Sequence, residues 1–534
     1  MNRQPIIAIA LSLAGIAIAV VIVRSQPQPA DIILSNGKVV TVDGAFSIAS
    51  AVAIRGERIV AVGSDRDVAA FVSAGTRRFD LAGRTVIPGL IDNHMHLLRA
   101  GTTWQQEVRL DGVESRKEAL DRLRARAKTT PRGEWIYTLG GWAMEQFADD
   151  KTPFTRAELD RAVPDHPLFL QASYYNGFLN SRAAQALGVD APAGVVDERG
   201  MRAIAARMPT ASGERLESST RQMLHDFNRM GLTSFGSAGC EDDVLPLYRQ
   251  LASRRELDVR VFCITAALQP PRGDHYIDHV AYGESVYGPL HDPMFVAKSD
   301  PSPEALAEWR RIATGVARAR RQLHVHANLT GTIDAFLDQI DVVRKQYPID
   351  DLRWTLAHVN QINAKHLARM KAMGVHAAVH PWAIINGGIN LTVFGDAAYD
   401  MPPLRTIQES GVVWGLGSDG SRANQIRPFT TLWWAVTGKM VGGMRLLRQT
   451  ISREQALTAH TRSNAYLLFR ERDLGSIEAG KLADLAVLDR DYLTVPDDQI
   501  KDITSVMTIV GGQIKESGIG NQESGSGQVQ GISR

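Results

Sequence analysis

Five residues able to grip a cation stand where apolar runs end. The first two, His94 and His96, close Val86-Ile87-Pro88-Gly89-Leu90-Ile91-Asp92-Asn93-His94-Met95-His96. In an extended chain residues i and i+2 share a face, so both imidazoles can meet one ion. Neutral imidazole suits zinc, and also iron or nickel. His326 ends Leu323-His324-Val325-His326-Ala327, His358 ends Trp354-Thr355-Leu356-Ala357-His358, and Asp419 lies in Gly415-Leu416-Gly417-Ser418-Asp419-Gly420. Taken singly, each reads as a hydrogen-bonded core histidine or a turn aspartate. Taken together, they gather at the carboxyl ends of successive strands, the face where parallel barrels build their sites.

The elements that must position them are legible in outline. Apolar runs at Val86–Ile91, Leu168–Ala172, Thr233–Phe235, Val259–Ala266, Leu323–Ala327, Trp354–His358, Val375–Val379 and Val412–Gly417 alternate with helix-patterned stretches. The helical partners include Arg116–Ala127, Pro303–Arg320, Ala364–Met373 and Arg453–Leu468. Such alternation implies parallel strands, here a (β/α)8 TIM barrel over residues 86–471, with an insertion at about 104–226 covering the site. Short strands separated by turn signals at Asn36-Gly37, Arg55-Gly56-Glu57 and Gly511-Gly512 flank it. Residues 31–85 and 472–516 therefore read as one small β-sandwich domain built from both chain ends.

At 534 residues the chain exceeds a single folding unit. Its 44% hydrophobic and 22% charged residues are ordinary for a globular protein, and a net charge of +2 without a basic stripe excludes nucleic acid as a partner. Residues 1–30 read as a membrane anchor or signal segment plus linker. Apolar and small residues run from Ile6 to Val23 between Arg3 and Arg24, long enough to span a bilayer. The charge balance puts the remainder on the outer, periplasmic or extracellular, side. The Gly-, Ser- and Gln-rich tail at 517–534 reads as disordered. Cys240 and Cys263, the only cysteines, fit no metal or redox spacing and read as two buried core thiols.

The sequence resembles the amidohydrolase superfamily, in the branch grouped with N-substituted formamide deformylases. Ile87–His96 matches the family's opening signature and Gly475–Asp489 its closing one. Ala456–Thr461 is similar to its last barrel helix, and Met230–Ser234 to a turn into a middle strand. The resemblance implies a divalent metal, zinc foremost, as one or two ions. It makes His94 and His96 ligands of a first metal and His326 and His358 ligands of a second, with His324 a rival to His326. Asp419 would bind metal and act as general base toward the attacking water. Relatives that bridge two metals often use a fourth-strand lysine; that context is absent here. Glu284, in Ile277–Glu284, is taken as the bridge, with Lys298 the outsider.

Tyr174-Tyr175 stands where many relatives of the branch carry Gly-His, so Tyr175 is a candidate substrate contact, along with His380, Trp382 and Trp104. The implied activity is hydrolysis of a non-peptide carbon–nitrogen bond in a small molecule, by a chain expected to form a homo-oligomer. Ring deaminases of the superfamily carry a glutamate three residues after the fifth-strand histidine; here that position is Leu329, which disfavours deamination. Ester or lactone hydrolysis on the same scaffold stays open beside amide cleavage, as does a catalytically inactive barrel that only binds.

Overall fold

The computed structural model describes residues 28–520 apart from 97, 192, 241–242 and 294–295. The apolar segment at Ile6–Val23 and most of the tail lie outside the described residues. Among the described residues no helix is long and apolar enough to cross a membrane.

Eight parallel strands form the central sheet, each hydrogen-bonded to the next in chain order. They are β1 (Leu90–Met95), β2 (Leu232–Ala238), β3 (Arg260–Thr265), β4 (Ile277–Glu284), β5 (Gln322–Ala327), β6 (Thr355–His358), β7 (His376–Val379) and β8 (Trp414–Leu416). Helices Pro303–Arg318, Thr330–Gln346 and Ala364–Met373 fill the crossovers and bury apolar faces against the strands. The expected helix at Arg453–Leu468 is two, Arg453–Ala459 and Arg462–Leu467, because Thr461 leaves helical geometry (φ −132°, ψ −87°).

The seam between β8 and β1 has no regular ladder. Asp419 N–H donates to His94 O (3.0 Å), and Ser418 N–H to Asp92 Oδ2 (2.9 Å). Asn464, fully buried, spans the gap, its Nδ2 donating to Ile91 O (2.5 Å) and Leu416 O (2.7 Å). Room for that side chain depends on Gly415, since a Cβ there would lie 1.9 Å from Asn464 Oδ1.

The sandwich is as expected from both chain ends. One sheet has the order 58–63, 51–55, 32–35, 77–80; the other has 513–517, 505–510, 485–488, 85–88, 38–40, 48–49. Ile32, Leu34, Val39, Val86, Leu485 and Ile509 pack in the core between them. The turns at Gly56 and Gly511-Gly512 close hairpins. Asn36-Gly37 does not: Ile32–Ser35 and Lys38–Val40 belong to different sheets, and the turn carries the chain from one layer to the other. The apolar run at Val86–Ile91 likewise divides, Thr85–Pro88 joining the sandwich and Leu90 opening the barrel.

Over the barrel mouth sits a four-stranded sheet, order 195–196, 176–179, 168–172, 136–139, backed by short helices. Leu168–Ala172 belongs here and is no barrel strand. Helix Gly213–Arg229 packs Met223, Leu224 and Phe227 into the barrel core, so the covering segment ends before it.

Cys240 and Cys263 are not free thiols. They form a disulfide with Cα atoms 5.6 Å apart, tying the end of β2 to β3. Ser237 pairs with Cys263 and Ala238 with Ile264, and the chain then leaves the strand at Gly239 (φ +86°), which keeps Cys240 within reach of Cys263; sequence spacing alone carries no trace of that.

Candidate metal centre

β1 delivers His94 and His96, β4 ends on Glu284, β5 and β6 present His326 and His358, and Asp419 follows β8. The structure brings all six together at the carboxyl end of the barrel. Glu284 divides its two oxygens. Oε2 lies 3.3 Å from His94 Nε2 and 3.4 Å from His96 Nε2, while Oε1 lies 3.1 Å from both His326 Nδ1 and His358 Nε2. Asp419 Oδ1 is 3.3 Å from His96 Nε2 and 3.7 Å from His94 Nε2. Trp382 Nε1–H donates to its other oxygen, Oδ2, at 2.6 Å.

The outer nitrogens of three histidines are held by a second layer of residues, the arrangement that fixes a ligand imidazole's tautomer. His94 Nδ1 meets His324 Nε2 at 2.9 Å, and burial keeps His324 neutral, so it accepts the proton His94 offers. His326 Nε2 faces Asp292 Oδ1 at 2.8 Å. Behind His358 runs a longer chain that starts at the barrel seam. Asn464, donating to two strand carbonyls, accepts Asn93 Nδ2–H at 2.8 Å. That leaves Asn93 Oδ1 to accept His380 Nε2–H (2.8 Å), and His380 Nδ1 to accept His358 Nδ1–H (2.9 Å). The His358 Nε2 lone pair is thereby aimed at Glu284.

The donor set fits divalent cations on three counts. His94 Nε2 is buried and makes no hydrogen bond. His358 Nε2 and Glu284 Oε1, both electron-pair donors, face each other at 3.1 Å, which is unfavourable unless a cation lies between. The sets His94/His96/Asp419 and His94/Glu284/His358 each hold ligand atoms within 4.8 Å of one another, as do Glu284/His291/His326.

Protonation follows the same logic. Burial opposes charge throughout, yet Asp419 and Glu284 raise His96 to about 9, and Asp292 and Glu284 raise His326 to about 10. Burial, reinforced by the His326 charge, pushes His358 down to about 4. Against burial, His94 with His326 and His358 holds Glu284 well below the carboxylate range, and His96 with His358 lowers Asp419. The carboxylates therefore stay ionised, and protons on His96 and His326 supply the positive charge that a cation would replace.

The mouth opens into a cavity of about 570 Å³, within the usual range for small-molecule sites. Tyr175 and Trp382 line it, and Tyr175 Oη donates to Glu145 Oε2 at 2.8 Å. Two expected contacts are displaced. Trp104 is buried away from the cavity, its Nε1 on Asp226 (2.8 Å) and its ring on Phe227. His380 is fully buried behind His358 and acts through it. Lys298 is exposed on a loop, outside the cluster. Sequence reasoning missed Asp292 and His291, whose ring stacks on His326 at 3.8 Å; His291-Asp292-Pro293 after β4 was the available signal. It also missed Arg99 and Tyr174 in the cavity wall.

A parallel eight-stranded barrel with four histidines and two carboxylates converging at its carboxyl mouth defines a metal-dependent hydrolase acting on a small molecule. The amidohydrolase family profile matches residues 77–515, and the chain belongs to that family. It is 26% identical to the N-substituted formamide deformylase of Arthrobacter pascens, over 91% of this chain and 98% of that protein. An uncharacterized metal-dependent hydrolase from Pyrococcus horikoshii shares the fold, with a TM-score of 0.65 and 20% identity over 88% of this chain and 99% of that one. So does a zinc-bound adenosine deaminase from Xanthomonas campestris, with a TM-score of 0.54 and 15% identity over 92% and 94% of the two chains.

Proposed function

We propose that this chain hydrolyses the carbon–nitrogen bond of a small amide of the formamide or N-acyl type, with a site whose residues would hold two divalent ions, zinc foremost, Glu284 being shared between them. The observation that carries the reading is the division of the Glu284 oxygens between two pairs of imidazole nitrogens. His94 and His96, with Asp419, would hold one ion, and His326 and His358 would hold the other. Bound divalent metal lowers the pKa of water toward about 7 and polarises a carbonyl. Asp419, kept ionised by His96 and His358, accepts the attacking water's proton and returns it to the leaving nitrogen. The Trp382 indole keeps its carboxylate from rotating. Tyr175 and Trp382 contact the substrate. The formamide-cleaving relative supports the amide class. Leu329, fully buried where a ring-protonating acid would stand, weighs against deamination.

The proposal extends to location and assembly: a homo-oligomer working outside the cytoplasm, exported or anchored through its amino-terminal apolar segment. The Cys240–Cys263 disulfide supports an oxidising compartment. The test is hydrolysis of a panel of N-formyl and N-acyl amides by protein stripped of metal and reconstituted with zinc. Activity should return with zinc and fall about a thousandfold in Asp419→Asn. Cleavage of esters or lactones but no amide would overturn the bond assignment, and a fully active Asp419→Asn would overturn the role of the base.

A further inference from the structure

A second cavity of about 310 Å³ adjoins the first, sharing Arg99, Tyr174 and Arg202 as wall. Its far side carries Arg422, three residues past Asp419 on the loop after β8. Arg202 is satisfied, pairing with Glu198 at 2.8 Å and lying 4.9 Å over the Tyr174 ring. Arg99 and Arg422 are not: among the described residues no carboxylate lies within ion-pair distance of either, and neither guanidinium has a hydrogen-bond partner. A half-buried guanidinium without an anion is costly, and a second one beside it adds repulsion. Burial and the Arg99 charge accordingly lower the Arg422 pKa.

The arrangement is built rather than accidental. Gly141 N–H donates to Arg422 O at 3.0 Å and Ser173 Oγ to Ala423 O at 2.9 Å, so residues just past two strands of the covering sheet hold the loop at the arginine and at the residue after it. Gly140, at φ +84°, makes that approach possible, since a Cβ there would stand 2.3 Å from Arg422 O. Gln171, almost fully buried in the same wall, donates Nε2–H to Ser173 O and leaves Oε1 unpartnered, an acceptor for an N–H or O–H of a ligand and not for its carboxylate. Leu139, Met201 and Met208 supply apolar surface between these groups. Arg99 links the two chambers, for its charge is felt both at His96 and at Arg422.

We infer that the second cavity is a carboxylate-recognition site, and that the substrate is an amide whose leaving or acyl portion carries a carboxylate reaching past Tyr174 to Arg99 and Arg422. This rests on the hydrolase reading for the position of the scissile bond, but the anion site is testable without it. A guanidinium meets a carboxylate through paired N–H donors, which a neutral carboxamide cannot match in charge.

Two experiments separate the readings. In the first, kcat/KM is measured for zinc-loaded enzyme on N-formyl ω-amino acids of increasing chain length and on their carboxamides. The acid at the optimal length should lead its carboxamide by about 10- to 100-fold, and Arg422→Gln should erase most of that ratio. Arg99→Gln, a change at an exposed side chain, carries the same test should Arg422→Gln not fold. In the second, glutarate and inorganic phosphate are titrated calorimetrically into metal-free protein and both variants. Glutarate binding that weakens by about 10- to 100-fold in each variant supports the site. If amides are hydrolysed with no acid preference and glutarate does not bind, the anion site is overturned while the hydrolase reading stands. If glutarate binds through the two arginines but no amide is cleaved, the site stands and the hydrolase reading falls. Phosphate binding tighter than glutarate would overturn the carboxylate assignment.

Discussion

Replacing Glu284 by Gln tests the bridge with the least change in shape. The amide keeps the side-chain volume but removes the negative charge shared by four imidazole nitrogens at 3.1–3.4 Å. A unit charge acting at about 4 Å through an effective dielectric of about 20 is worth about 4 kcal/mol, or about a thousandfold in affinity. The His94/His96 pocket retains Asp419 as a carboxylate; the His326/His358 pocket retains none at comparable distance from both nitrogens, since Asp292 lies on the outer side of His326. The loss should therefore fall mainly on one ion. Wild type and Glu284→Gln are dialysed against a weak chelator, and metal is counted by elemental analysis alongside protein concentration. Wild type should keep about two ions per chain and the variant about one, with its remaining ion lost on further substitution of Asp419. Equal metal content in the two proteins, at equal chelator strength, would refute a bridging Glu284.

Three more outcomes rest on the same geometry. His96 and His326 sit at about 9 and 10 without metal, so both are protonated at pH 7 and must lose their protons to become ligands. Calorimetric loading in buffers of differing ionisation enthalpy should show about two protons released over both ions, with the affinity for each ion rising about tenfold per pH unit between about pH 7 and 9; zero release would contradict the assignment. Asn464→Ala leaves Ile91 O, Leu416 O and Asn93 Nδ2 without their partner, and should cost about 3 kcal/mol or more in denaturant unfolding and weaken metal retention about tenfold through His358. Reducing the Cys240–Cys263 bond, which closes a loop of 23 residues, should lower stability by about 3 kcal/mol, read as a shift in the urea midpoint with and without reductant.

What the sequence disclosed was what local spacing can encode. His94 and His96 are two apart on a strand, and His326, His358 and Asp419 each end an apolar run, so strand periodicity and the rule that parallel barrels work at one end suffice to gather them. Glu284 is reached only through the family resemblance, which places a bridging residue at the fourth strand; no spacing ties it to the histidines. Failures come wherever the deciding contact spans a large sequence distance. Asn36-Gly37 has the composition of a hairpin turn, but the flanking residues Leu34 and Val39 both bury in the core between sheets, and that decides the connection. Trp104 reads as a pocket residue because it follows the first strand; its indole instead finds Asp226, 122 residues away.

His380 makes the same point at the centre of the site. Its position after β7 suggests a cavity wall, yet its two nitrogens are committed to His358 and Asn93, and Asn93 is in turn oriented by Asn464. The proton on His358 Nδ1 is thus set by an asparagine whose main task is to close the barrel between β1 and β8. Barrel closure and ligand tautomer are coupled through one side chain, which is why the seam needs no regular ladder and why Gly415 must leave room beside it. Substituting Gly415 by Ala, without touching any ligand, should disturb both at once: a Cβ 1.9 Å from Asn464 Oδ1 and 2.9 Å from Asn93 Nδ2 displaces the chain at two links. Loss of stability with metal affinity unchanged would show that His358 takes its orientation from elsewhere.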